Sequence, residues 1–107
     1  MKIKIKTIVE AVPALKRLNE AQLPLATSYK VYKLVEEING VLAFFSDKRD
    51  EIQRKSDNGE QEITELLEQE ENLSSEKIPL DGTGSVSISA ADIKLLLPFV
   101  DIRFGNN

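Results

Sequence analysis

Carboxylates, amides and glycines crowd into two short stretches, "RKSDNGEQEITE" at 54–65 and "DGTGS" at 81–85, and chemistry would be sought there first. With Gly59 as the sixth position of a calcium loop, Ser56 and Asn58 fall at the third and fifth and Glu65 at the twelfth, but the first position is Arg54. A cation at the first ligand position repels calcium, so a plain turn is the better reading. "DGTGS" shares only its glycines with a phosphate-cradling loop; it lacks the lysine, the spacing and the following helix, and a hairpin turn accounts for it. The pairs Glu36 with Glu37 and Glu70 with Glu71 are adjacent, and adjacent residues on a helix diverge, so neither pair can share a substrate as acid and base.

The chain has no Cys and no His. Disulfides, thiolate zinc sites and cysteine nucleophiles are excluded by counting, and the commonest general base near neutral pH is absent. Only carboxylates, Lys, Ser, Thr and Tyr remain. No catalytic or metal-binding constellation assembles from them, so the expectation is a non-enzymatic protein with no cofactor.

The elements that position these residues follow from the spacing of apolar side chains. With 107 residues and 41% hydrophobic content, one domain with its own core is expected. In "KIKIKTI" isoleucines alternate with lysines, which predicts a short strand with lysine on its outer face, suited to a sheet edge. "TIVE" at 7–10 fits a capping box for a helix continued by Val12, Leu15 and Leu18, although Pro13 is tolerable only if that helix starts or kinks nearby. Pro24 is placed to open the next helix, with Thr27 and Ser28 as rival caps.

Residues 28–56 then hold a single rhythm. Val31, Leu34, Ile38, Val41, Phe45 and Ile52 step by threes and fours, with Val35 and Leu42 on one flank and Phe44 on the other. A helix of about 30 residues is about 45 Å long, more than the shorter elements of this chain should cover. Gly40 lies off the seam and costs about 1 kcal/mol relative to Ala. "SDNGE" ends this helix, with Asn58 and Gly59 able to take positive φ, and "EITELLEQEENL" supplies an antiparallel second arm through Ile63, Leu66, Leu67 and Leu73. After it, Ile78 and Leu80 alternate with Val86 and Ile88 around the glycine turn as a β-hairpin. Ser89 caps a short helix that Pro98 ends, and "FVDIRF" is a last strand able to pair with the first.

The predicted fold is α+β, mainly α: a single domain over 1–107 with a strand and helix (1–23), a helical hairpin (24–76), and a β-hairpin, short helix and last strand (77–107). The hairpin is completed by a small mixed or antiparallel sheet from the N-terminal strand and the C-terminal segment. No window approaches a membrane span of about 20 apolar residues, which predicts a soluble chain.

Charge is uneven. Residues 1–55 hold 11 Lys+Arg against 7 Asp+Glu and residues 56–107 hold 3 against 11, so the halves are +4 and −8 within a net charge of −4. The basic residues alternate with acids, no nucleic-acid motif is present, and pI is about 4.9, which weighs against nucleic acid as a partner. The second arm presents Glu62, Glu65, Glu68, Glu70 and Glu71 without an intervening cation, a solvated face that would also receive a basic partner.

The order of a lysine-rich start, "LKRLNEAQLPLATSYKVYKL", the long helix ending "SDKRDEIQRKSDNGE", an acidic helix and the close "ISAADIKLLLPFVDIRF" resembles a family of small phage and prophage proteins catalogued only as a domain of unknown function. The likeness spans most of the chain and rests on apolar spacing with a few polar positions such as Arg49 and Gly59. It implies a phage or prophage origin and a place in the bacterial host cytoplasm or with the virion, and it transfers no activity and no functional residues. Two readings stand beside it. One is a structural or assembly component whose long helix packs on copies of itself or on another phage or host protein. The other is a small regulatory or inhibitory binder of a host protein that uses its acidic face. The candidate interaction residues are Tyr32, Phe44, Phe45 and Arg49 on the long helix and Glu62 and Glu65 on the acidic arm.

Overall fold

A computed structural model describes residues 1–55, 57–81 and 88–103. Its elements run β1 (Lys2–Lys4), α1 (Ile5–Glu20), α2 (Leu25–Lys55), α3 (Gly59–Glu68), β2 (Glu70–Asn72), β3 (Ile78–Asp81), α4 (Ala90–Leu96) and β4 (Val100–Arg103). The fold is α+β and mainly helical. It is also elongated: the extents are 55 × 23 × 21 Å and the radius of gyration is 15.8 Å, where a compact chain of this length would have about 13 Å.

The start of α1 differs from the capping box expected at Thr7. The helix begins at Ile5, its N-cap Lys4 contributes no side-chain bond, and the Ile5 amide donates to the Gln69 carbonyl at 2.9 Å. A tertiary acceptor thus does the work of a cap. Pro13 lies inside α1 and is exposed, so the backbone bond it cannot donate is lost on the solvent side. Buried Ile5, Ile8, Leu15 and Leu18 form the helical stripe, and buried Ala11 and Ala14 let neighbouring elements approach closely.

α2 is one unbroken helix of 31 residues, and it passes straight through Gly40. Pro24 immediately precedes it, and its carbonyl accepts from the Ser28 amide at 2.9 Å. Before α3, neither Asn58 nor Gly59 takes the positive φ that the sequence allowed. Asn58 has φ −107°, and Gly59 is the first residue of α3, where a β-carbon would meet only Ile52 Cγ2 at 3.9 Å. α3 packs back on α2, which makes the expected helical hairpin.

The second arm is shorter than predicted. It stops at Glu68, and Glu70–Asn72 forms a strand antiparallel to β1, with Lys2 opposite Asn72, Ile3 opposite Glu71 and Lys4 opposite Glu70. Leu73 is buried as expected, but it reaches the core from this strand's end instead of from a helix. β4 pairs in parallel with β3 in the register Ile78 to Val100 and Leu80 to Ile102, not with β1. Parallel pairing requires a crossover, and α4 lies within it. Pro79 is tolerated because β3 pairs on one side only. Among the described residues, two sheets of two strands therefore replace the single sheet expected. The predicted β-hairpin around "DGTG" and the end of the last strand at Phe104 lie outside the described residues.

Two apolar clusters hold these elements. The larger unites α1, the first half of α2, β3, α4 and β4 around Leu34, Leu18, Ile78, Leu96 and Phe99. The smaller joins Ile5, Phe45 and Leu66, with Val9, Ile52 and Ile63 packed against them. α1 spans both clusters.

Candidate functional site

The inner seam of α2 is sheltered within the chain. Val31, Leu34, Ile38 and Phe45 are buried, and Val35, Val41, Leu42 and Ile52 are partly buried. This corrects the expectation that the seam overhangs its neighbours, because α1 covers its first half and α3 its second. The surplus apolar surface is on other faces. Leu25 is 87% exposed, Tyr29 56%, Tyr32 55% and Phe44 44%. Leu25, Tyr29 and Tyr32 step by four and then three, so they form a second stripe, opposite the buried one. The rings of Tyr29 and Tyr32 stack with centroids 6.4 Å apart at 22°. Lys33 Nζ lies 5.1 Å from the centre of the Tyr29 ring, a cation–π contact that orders the lysine on this face.

The six residues singled out from the sequence separate into four places. Tyr32 and Phe44 are exposed on α2, but they lie about 18 Å apart along the axis and on different sides of the outer surface. Phe45 is buried, not exposed as an interaction residue would be. It is 8% exposed and packs in the core with Ile5 and Leu66, because it occupies the inner seam while Phe44 falls one step outside it. Arg49 lies 5.7 Å over the Phe45 ring and 3.8 Å from Asp50, closing the core's edge. Glu62 and Glu65 are exposed on α3 and line an open cleft of about 600 Å³ with Lys48, Lys55 and Asn58. Lysine thus stands across the cleft from them. Leu25, Tyr29 and Lys33 were missed, although the spacing of 25, 29 and 32 carried the signal. The stronger buried seam masked it.

Two polar clamps brace the scaffold. Arg17 Nε and Nη2 donate to the two carboxylate oxygens of Asp92 at 2.5 and 2.6 Å, joining α1 to α4. The Ser89 hydroxyl accepts from the Asp92 amide at 3.1 Å, which is the cap predicted for α4. The Arg17 guanidinium holds the Asp92 carboxyl below its ordinary range. Glu37 receives the amide of Ser74 at 2.7 Å, the amide of Ser75 at 2.9 Å and both serine hydroxyls. Burial pushes the Glu37 carboxyl up, but these four donors together hold it below its ordinary value. In each clamp both carboxylate oxygens accept from donors of the chain itself.

Among the described residues no group of three or more acids could hold a metal ion, and no helix is long and apolar enough to cross a membrane. Compared with known proteins, the chain matches no family model, no curated sequence and no solved structure.

Proposed function

We propose that this chain is a non-enzymatic phage or prophage protein that acts in the bacterial host through protein–protein contacts, as a structural or assembly component. One observation carries the reading: the outer face of a helix of 31 residues leaves Leu25, Tyr29 and Tyr32 in solvent at heptad-like spacing. Exposed apolar side chains scattered singly need no explanation, whereas a spaced row on a rigid rod is what helix-to-helix association uses. The phage origin rests on the sequence resemblance alone. Sedimentation of the protein at rising concentration tests the role. A discrete oligomer that Tyr29→Asp with Tyr32→Asp converts to monomer supports it, and a monomer at every concentration overturns it.

A second reading, a regulatory binder of a host protein, is favoured by one feature. Glu62 and Glu65 project from α3 with no ion-pair partner among the described residues. A monomer whose capture of a basic host protein is lost in Glu62→Lys with Glu65→Lys would favour it.

A further inference from the structure

We infer that the outer face of α2 pairs with the same face of a second copy, antiparallel, with Gly40 on the two-fold axis and Lys33 of each chain against Asp47 of the other. The inference rests on the self-association just proposed and specifies its geometry.

Gly40 is the first observation. It sits in the middle of the longest helix, where glycine is unfavourable, yet nothing in the chain requires it: no neighbouring atom lies within 4 Å of where a β-carbon would be, and the backbone is not left-handed. A glycine that leaves its surface flat and open suits the close approach of another backbone. Around it, Asn39 and Ala43 are also small and exposed.

Charge is the second. Lys33 and Asp47 each stand seven residues from Gly40, so all three share one face of α2, and all three are exposed. Neither Lys33 nor Asp47 makes an ion pair among the described residues. They lie about 21 Å apart along the helix, too far to meet within one chain. A two-fold axis through Gly40 places each lysine against the partner's Asp47, twice per dimer, and sets Tyr29 opposite the partner's Glu51. A parallel pair would oppose lysine to lysine and aspartate to aspartate. Self-complementarity of this kind is what an isologous interface demands.

The absence of cysteine makes the test direct. Gly40→Cys carries the only thiol, and in the proposed dimer two such thiols face each other across the axis. Mild oxidation should therefore give a disulfide dimer with unchanged helical circular dichroism. Arg54→Cys should not cross-link, because antiparallel packing holds the two positions about 42 Å apart. In the second arm, Lys33→Asp should lose the dimer mass in sedimentation and Lys33→Asp with Asp47→Lys should regain it. Cross-linking at both cysteine positions, or an oligomer in which Gly40→Cys stays unlinked and the charge swap restores nothing, overturns the antiparallel pairing while leaving self-association standing. A chain that is monomeric throughout overturns both.

Discussion

The Arg17 guanidinium and the Asp92 carboxylate, 75 positions apart in sequence, meet through two parallel hydrogen bonds, with Asp92 buried and Arg17 largely exposed. The pair fastens the last turn of α1 to the first turn of α4, and Ser89 completes Asp92's environment. Arg17→Ala strands a buried carboxylate, so its melting temperature should fall by more than that of Lys4→Ala, which breaks the exposed pair with Glu68. Arg17→Lys should recover little, since an ammonium cannot reproduce the planar fork. Amide exchange across residues 90–96 should quicken in both Arg17 variants.

Acid should loosen the Glu37 clamp before neutral pH has any effect on it. The folded carboxyl is held below its ordinary value of 4.5. Its stabilisation is therefore complete above that pH and is lost as pH falls through the lower, folded value. Asp92, depressed from 3.8 chiefly by Arg17, follows the same sign. Glu37→Gln should cost about 1 kcal/mol at pH 7. Chemical denaturation from pH 6 down to pH 2 should show a shallower decline for the variant; an identical slope would mean that Glu37 keeps the same proton affinity on unfolding.

Adjacent phenylalanines should give opposite results. Phe45→Ala opens a cavity between Ile5 and Leu66 and should cost about 3–5 kcal/mol. Phe44→Ala removes a ring that is 44% exposed and should cost less than about 1 kcal/mol in the isolated chain. Paired denaturant titrations decide this, and equal losses would place the helix in a different rotation.

Gly40→Ala should stabilise the dilute monomer by about 1 kcal/mol, because alanine suits a helix interior better and the space is open. Thermal melts at low protein concentration read the shift. A drop in melting temperature there would show that the position is crowded.

Much of this architecture was legible in the residue pattern, and its gaps have physical causes. The long helix was plain because its seam repeats from Val31 to Ile52, and Ser89 announced α4 because a cap is a local device. Where α1 starts was not legible: the group that satisfies the Ile5 amide is the carbonyl of Gln69, a partner that no local rule can nominate. β2 was hidden inside an acidic run that reads as helix, since only pairing with the lysines of β1 makes a strand of it. The exposure of the candidate interaction residues was half legible. Tyr32 and Phe44 proved exposed, while the choice between Phe44 and Phe45 depended on the rotation of α2, which α3 sets from outside the helix.

The pairing of Lys2 with Asn72, together with the grip of Arg17 on Asp92, has a consequence for how the protein is made. During synthesis β1 and α1 are made before α2, on which α1 packs, and well before Gln69, Asn72 and Asp92, to which they bond. Until the chain has been made as far as Val100, α2 and α3 cover part of the buried face of α1, and the side that β3, α4 and β4 will cover is open to chaperones or to neighbouring nascent chains.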